Sequence, residues 1–399
     1  MEKKKRVDEL DIIKGFGILI IAIYHLVYRP QDGIPDMMIK SLGWALIALY
    51  FMISGYTFKP GKTVIENYKR RLLGLILPVF LGELLLLGIG GIYCRLVHGY
   101  NSRDVLHDAA VTFLRPEITT KISSEWGEGG ILFCNLSPVW YIWALAWTLL
   151  IFYPLAKLVS GRSTKVWLAV VLGLMAVQIP LYLFVEPLPW SLIIVPLFTV
   201  FMLIGVKIKE SGVIERLREI PLPVTIIYTI VFFAAHFGLF VFGGNEGYYI
   251  SVIGTRGWLD VPLAVLQLLV AFPAFFGVAR LMSMNRFLLK RMRWFGQHSL
   301  TILIWHCLFG LMFEDLLGTY NKLGDYWYME FLGLTVTPEI FWKSAAVFVL
   351  SILCCIPVAA VADFFAVRAF ESRLLNRNRK KELQNPELRI VEKQKDDET

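Results

Sequence analysis

The chain has 399 residues, of which 56% are hydrophobic and only 18% are charged, and its mean hydropathy is +0.60. Soluble globular domains carry about 25% charged residues, so this composition excludes an ordinary soluble enzyme and indicates a polytopic membrane protein. The formal net charge is +8. The basic residues lie mainly between apolar segments, so the charge is a signal of membrane orientation and gives no reason to expect nucleic acid as a partner.

Ten apolar segments are long enough to cross a bilayer. The first, 11–28, is long and is followed by further spans without a small-residue cleavage site, so it predicts an uncleaved first helix. Pro180 and Pro196 predict kinks rather than helix ends. The sequence therefore predicts an all-α fold, a polytopic membrane helix bundle of about ten transmembrane helices, whose other segments are 37–58, 72–93, 137–157, 164–185, 188–209, 222–242, 258–281, 294–316 and 339–366.

The distribution of Lys and Arg predicts a multi-pass protein of the cell membrane with both termini in the cytoplasm. Alternate connections are rich in basic residues, as at 59–71 and 280–293. The longest outer connection, 94–136, is long enough to cover the outer end of the bundle. We expect one transmembrane domain at 1–370 and a charged cytoplasmic tail at 371–399, which is predicted to be disordered or to lie on anionic membrane lipids.

The five cysteines follow no metal-ligand spacing, and we expect no metal site. Cys307, Cys354 and Cys355 lie in apolar segments and are interpreted as small core residues. Cys94 and Cys134 flank the outer connection on the oxidising side of the membrane. A disulfide between them would close that loop, but their spacing also allows two free thiols.

The first apolar segment carries two groups that a bilayer disfavours, Lys14 and His25. At about 100° per residue, their eleven-residue separation leaves them within about 20° of each other on one helix face. Their depths differ by roughly 16 Å at about 1.5 Å per residue. This helix is therefore predicted to present a cation near one membrane surface and an imidazole well inside, on the same face.

Four ionisable side chains on four predicted helices share about the same depth in the bilayer: His25, Glu83, His236 and His306. Intramembrane ionisable groups usually face the bundle interior and often pair with one another, so we consider this layer a candidate site. The alternative is that each is separately satisfied by a backbone carbonyl or an interhelical hydrogen bond. His98 and His107, in the outer connection, are expected to be plain surface residues.

A second polar set is predicted at the inner face of the membrane. Ser54 is a possible nucleophile, but no G-x-S-x-G elbow surrounds it, and we favour a Ser54-Gly55 contact that lets two helices approach closely. The basic residues there are ordinary positive-inside anchors unless they face the bundle. Members of the set are Lys14, Ser54, Gly55, Arg70, Arg71, His298 and Ser299.

The segment from Leu10 through Asp11, Lys14 and Gly15 to His25, followed by 50–56 (YFMISGY), resembles the opening of the acyltransferase 3 family of integral membrane acyltransferases. The likeness continues through a basic stretch ending at Pro78, Trp140-Tyr141, and Gly296-x-x-Ser299 to His306, and reaches about residue 370. The sequence departs from the family where an Arg-x-x-Arg pattern is common, because Gly74 stands three residues after Arg71.

This resemblance implies an O-acyltransferase that moves an acyl group, acetyl being the commonest, from cytoplasmic acyl-CoA to a hydroxyl of a cell-surface or exported glycan or a related acceptor. His25 is the candidate general base and Glu83 its possible orienting partner; an acyl-histidine intermediate is also open. Acyl-CoA would be a substrate, and no permanently bound cofactor is expected. Residues expected to bind substrate are Lys14, Ser54, Arg70, Arg71, Trp140, His236 and His306.

A different class of function also fits ten helices with a polar interior: a transporter or exporter of a polysaccharide or a lipid-linked precursor. Many such transporters contain broken helices at matching positions of two repeated halves. The sequence shows neither a matched pair of broken segments nor an inverted repeat in its hydropathy. The acyltransferase interpretation is therefore preferred.

Overall fold

The computed structural model describes residues 7–27, 34–114, 139–185, 188–242, 258–318 and 338–384. Within these ranges the chain is helical and contains no β-strand. Nine of the described helices are long and apolar enough to cross a membrane. The predicted all-α, polytopic membrane bundle is thus confirmed. The chain divides into two compact units, Met1–Ser351 and Ile352–Thr399.

The described helices are α1 (Asp8–Leu26), α2 (Ile34–Tyr56), α3 (Val64–Arg71), α4 (Leu77–His98), α5 (Ser102–Leu114), α6 (Val139–Val159), α7 (Thr164–Phe184), α8 (Val195–Glu210), α9 (Val213–Glu219), α10 (Leu222–Phe242), α11 (Asp260–Ser283), α12 (Arg286–Gln297), α13 (Ser299–Leu316) and α14 (Pro338–Gln384). A π-helical turn, Leu72–Ile76, joins α3 to α4.

Helix α1 packs against α2, α11, α12 and α13. It is not among the nine candidate spans, because its first seven residues contain four charges. Two of its acids are held by neighbouring helices: Asp8 pairs with Arg293 at 3.1 Å, and Glu9 accepts a hydrogen bond of 2.8 Å from Arg218 Nε. The bond to Glu9 raises the pKa of the Arg218 guanidinium. The charged end of α1 is therefore tied to α9 and α12.

The outward faces of the helices are apolar. On α4, for example, Leu85, Ile92 and Leu96 are 60%, 63% and 77% exposed. A soluble monomer rarely exposes large contiguous apolar patches, because water disfavours such surface. These faces suit contact with lipid, so the exposed side chains support the membrane assignment independently of helix length.

Two glycines allow α2 and α8 to pack backbone to backbone. A Cβ atom at Gly55 would lie 1.9 Å from the carbonyl oxygen of Met202, and one at Gly205 would lie 1.9 Å from that of Met52. Both distances are far inside van der Waals contact, so neither position has room for a side chain. This agrees with the interpretation of Ser54-Gly55 as a small-residue helix contact.

Gly55→Ala is expected to destabilise the protein by about 1–3 kcal/mol, because the added methyl group must push α2 away from α8. Gly43→Ala, in the same helix, is the matched control. A Cβ there meets no atom within 4 Å, so this change should be neutral or stabilise α2 by about 0.5–1 kcal/mol. Thermal unfolding of the two purified variants in detergent measures the difference, and equal unfolding temperatures would contradict the contact.

The region before α8 differs from the prediction. Pro196 is the second residue of α8, after a 3₁₀ turn at Pro189–Ile194, so it begins a helix instead of kinking one. Proline suits that position because the first turn needs no N–H bond. Gln178 of α7 stabilises the junction: its Nε2 donates to Ile193 O at 2.9 Å, and its Oε1 accepts from Leu197 N at 3.0 Å. Pro180 lies inside α7.

Three other boundaries differ from the predicted segments. The segment 294–316 is divided at His298 into α12 and α13. The first part of the outer connection 94–136 contains α5, and 115–138 lies outside the described residues. Helix α14 continues to Gln384, beyond the predicted segment 339–366, because the sequence has neither Gly nor Pro between Pro357 and Pro386. That the tail 371–399 is disordered or lies on anionic membrane lipids stays a prediction.

Candidate functional site

A cavity of about 370 Å³ lies among α1, α2, the π-helical turn, α6, α12 and α13. Its wall combines a cationic end, an aromatic side and an apolar middle. The lining residues are Lys14, Ile18, Ile21, His25, Ile47, Tyr50, Ile53, Ser54, Thr57, Arg71, Gly74, Leu75, Trp140, Tyr141, Leu145, Gly296, Gln297, Ser299, Leu300 and Leu303.

Helix α1 contributes Lys14, Ile18, Ile21 and His25 to this wall. The steps of four, three and four residues follow one face of an α-helix, as the spacing of Lys14 and His25 predicts. His25 is exposed, whereas Ile18 and Ile21 are buried. The cavity thus extends along α1 from the lysine to the imidazole.

Close packing of α1 against α12 fixes the cationic end. A Cβ at Gly15 would lie 2.0 Å from Met292 O, and one at Gly296 would lie 1.9 Å from Asp11 O. The two backbones therefore touch at the level of Lys14. Gly15 and Gly296 belong to two separate sequence motifs, and the structure shows that these motifs form a single helix contact.

Lys14 forms an ion pair with Asp11, one turn earlier on α1, with Nζ 2.7 Å from Oδ1. The Asp11 side chain is only 5% exposed and that of Lys14 is 23% exposed. The hydroxyl of Tyr50 donates to the backbone oxygen of Lys14 at 2.6 Å, which holds α2 against α1 at this point. The Lys14 side chain is therefore oriented by Asp11, and part of its charge is balanced within the protein.

The structure distinguishes Arg70 from Arg71. A capping box of Thr63 and Glu66 begins α3, and both arginines lie in its last turn. Arg71 lines the cavity and donates a hydrogen bond to Thr57 Oγ1. Arg70 is exposed and is not part of the wall. Only one of the two is therefore placed to meet a molecule in the cavity.

His25 and His306 are neighbours. Their ring centroids are 5.5 Å apart and the ring planes are inclined at 49°. His306 is fully buried, and its Nδ1 lies 2.8 Å from Ile302 O. A carbonyl accepts, so Nδ1 carries the proton, and Nε2 faces the Cys307 sulfur at 3.2 Å. The helix of His306 therefore fixes that ring beside His25.

The predicted layer is not one cluster. His236 is fully buried on α10, and its Nε2 lies 3.2 Å from Ser41 O of α2. Glu83 is 1% exposed on α4. Neither lines the cavity, so their predicted roles in catalysis and substrate binding stay predictions. His236 makes the kind of backbone contact that the alternative interpretation describes.

Ser54 and Trp140 both line the cavity. The Ser54 hydroxyl donates to Tyr50 O at 2.9 Å, within its own helix. A hydroxyl in that bond is less available as a nucleophile, so the structure favours the packing interpretation of this serine. Trp140 is half-buried near the start of α6 and contacts Tyr141 edge to face.

Sequence reasoning missed several residues of the wall. Tyr50 and Thr57 were available from the sequence, because with Ser54 they follow the i, i+4, i+7 spacing of one helix face. Leu303 follows Ser299 by four residues on α13 and was available in the same way. Gln297 had no such signal, since it is the last residue of α12 and the division at His298 was not predicted.

His98 is not a plain surface residue. Its Nε2 lies 3.0 Å from Asp315 Oδ2 of α13, and the two side chains are 10% and 13% exposed. Tyr93 donates a hydrogen bond to the same oxygen. This pair joins the ends of α4 and α13 away from the cavity. His107 is exposed, as expected. Cys94 has a free, buried thiol, and Cys134 lies outside the described residues.

Among the residues that the structure describes, no group of three His, Cys, Asp or Glu side chains is arranged to hold a metal ion. Comparison with known proteins finds no matching curated protein and no matching solved structure. Residues 7–362 match the family model described as an acyltransferase domain. Since this match spans most of the chain and agrees with the helical membrane fold, the chain belongs to the acyltransferase 3 family and is a membrane acyltransferase.

Proposed function

We propose that the protein transfers an acyl group, acetyl being the simplest, from cytoplasmic acyl-CoA to a hydroxyl of a cell-surface or exported glycan or a related acceptor. The observation that supports this proposal is the layout of one cavity. Arg71 and Lys14 lie at one end, and His25 lies at the other. Acyl-CoA has the same layout, with phosphates at one end and the thioester at the other.

The length of the cavity also fits this donor. Lys14 and His25 are eleven residues apart on α1, or roughly 16 Å along the helix. The arm of CoA between the phosphate and the sulfur contains about thirteen bonds. An extended chain advances about 1.1–1.2 Å per bond, which gives roughly 15 Å. Phosphate bound by Arg71 and Lys14 would therefore place the thioester beside His25.

The chemistry needs one proton transfer at that point. The imidazole of His25 would take the proton of the acceptor hydroxyl as its oxygen attacks the thioester carbonyl. The tetrahedral intermediate then loses the CoA sulfur as the carbon–sulfur bond breaks, and the imidazolium returns the proton to the thiolate. In the relay variant, the His25 nitrogen itself attacks the thioester carbonyl, and the carbon–sulfur bond breaks to release CoA thiolate. The acceptor hydroxyl then attacks the acyl-imidazole, which frees the imidazole as the hydroxyl proton is released. His306 would hold the His25 ring in either case.

The test is to reconstitute the purified protein in liposomes with acetyl-CoA labelled in the acetyl group. We expect release of free CoA that increases with a hydroxylated glycan acceptor. Label that stays on the protein after denaturation would identify the relay variant. If CoA is neither bound nor cleaved, while a glycan crosses the bilayer, the protein is a transporter and the proposal fails.

Arg71 and Arg70 allow a matched test of the cationic end of the cavity, where acyl-CoA is proposed to bind. Arg71→Ala should raise the KM for acyl-CoA more than it lowers kcat, because a phosphate contact far from the reacting carbonyl acts mainly through binding. One lost charge-assisted contact corresponds to about a tenfold change. Arg70→Ala removes the same charge outside the wall and should leave KM nearly unchanged. Steady-state kinetics compare them, and equal effects would show that only net surface charge matters.

A further inference from the structure

A second cavity, of about 510 Å³, lies between α4 and α5, apart from the proposed acyl-CoA site. The chain builds it from a tight helical hairpin. Gly99 ends α4 in a left-handed conformation, with φ of 69°, and the Asn101 side chain accepts a hydrogen bond of 3.0 Å from Arg103 N at the start of α5. The short connection brings α5 back against α4, and the groove runs between them.

The groove has one polar end. Arg95 lies three residues before the end of α4, and Ser102 is the first residue of α5, so both lie at the hairpin. The rest of the wall is apolar or small. Leu84 lies eleven residues before Arg95, or roughly 16 Å farther along the helix. That depth is close to the hydrocarbon thickness of one leaflet, about 15 Å.

We propose that this groove binds an anionic phospholipid of the surrounding bilayer, with an acyl chain along α4 and the phosphate at Arg95. The apolar wall suits a hydrocarbon chain, and the cation at the polar end complements a phosphate. Within the described residues Arg95 makes no hydrogen bond and no ion pair. Its guanidinium is therefore available to a headgroup. This site does not depend on the proposed acyl transfer.

The space in the groove comes from residues without large side chains. A Cβ at Gly88 would meet no atom within 4 Å, and Ala109 and Ala110 face the groove from α5. Gly88 is part of the groove wall and has room for a Cβ atom, so we expect a leucine at this position to fill part of the groove without displacing the backbone. This leucine would occupy the volume that the acyl chain needs. The variant therefore tests loss of the lipid site in a protein that still folds.

The experiment uses the full-length protein in nanodiscs that contain phosphatidylcholine and a trace of phosphatidylglycerol with a photoreactive group in its acyl chain. After irradiation, crosslinked peptides are identified by mass spectrometry. We expect crosslinks concentrated on α4 and α5, and we expect Gly88→Leu to remove most of them. Gly173→Leu is the matched control, because that glycine also has open space around it but lies on α7, outside the groove.

The headgroup is tested by the same experiment with photoreactive phosphatidylcholine. Arg95→Gln should lower the preference for phosphatidylglycerol about fivefold, which is the effect of one basic residue near an anionic membrane surface. Arg103→Gln, which changes an exposed arginine outside the groove, should keep the preference. Crosslinks spread evenly over all lipid-facing helices, or groove crosslinks with no headgroup preference in the wild type, would each overturn the proposal.

Discussion

Replacing His25 with alanine is expected to abolish acyl transfer while the protein stays folded in the membrane. The side chain is exposed at the cavity, so the change to alanine removes little buried volume from the bundle. General base catalysis contributes about 10²–10⁴-fold, so the rate should fall by that factor or more. His25→Gln keeps hydrogen bonding but cannot accept the proton, and it should be as inactive. Release of CoA in liposomes measures both variants.

His107→Ala is the control for this prediction, because His107 is exposed on α5 and does not line the cavity. It should keep full activity. Retention of more than about a tenth of the rate in His25→Gln would exclude proton transfer as the main role of His25. Either conclusion requires that both His25 variants unfold at the wild-type temperature, which we expect because the side chain is exposed.

The helices and their membrane class could be predicted because the bilayer imposes a length. A chain that must satisfy its backbone hydrogen bonds inside hydrocarbon forms long apolar helices, and these are visible in the sequence. The shared face of Lys14 and His25 was predictable for a similar reason, since helical periodicity needs no tertiary information. Both predictions rest on local geometry, which the sequence determines directly.

The partners of individual side chains could not be predicted in the same way. His98 and Asp315 are 217 residues apart, and nothing local indicates that the ends of α4 and α13 meet. Whether Arg70 or Arg71 lines the cavity depends on how the last turn of α3 is rotated about the helix axis. The division at His298 was hidden because α12 continues the apolar pattern of α13 with Trp294 and Phe295.

The close helix contacts could be predicted only in part. Glycine in a sequence motif indicates close approach, but it does not identify the partner. Gly15 and Gly296 belong to motifs 281 residues apart, yet each lies directly against the backbone of the other's helix. The Lys14 motif therefore has two functions in this structure. Gly15 allows α1 to pack closely against α12, and this packing places the Asp11–Lys14 pair at the end of the cavity.

The second prediction with a large expected effect concerns the ion pair of Asp11 and Lys14. Lys14→Ala should both raise the KM for acyl-CoA and destabilise the protein, because the buried Asp11 carboxylate loses the ammonium 2.7 Å away. Removing one member of a buried pair costs about 3–5 kcal/mol, and the 23% exposure of Lys14 indicates the lower end of that range. Lys14→Arg keeps the charge and should be tolerated.

The double variant Asp11→Asn with Lys14→Met separates stability from binding. It removes both charges together, so most of the lost stability should return, since replacing a whole buried pair by neutral groups is often nearly neutral. The KM should stay high, because the cation that would meet the donor phosphates is still missing. Thermal unfolding and steady-state kinetics on the same preparations make the comparison. A double variant with wild-type KM would mean that Lys14 serves only Asp11, whereas a collapsed kcat at unchanged KM would place Lys14 in the chemistry itself.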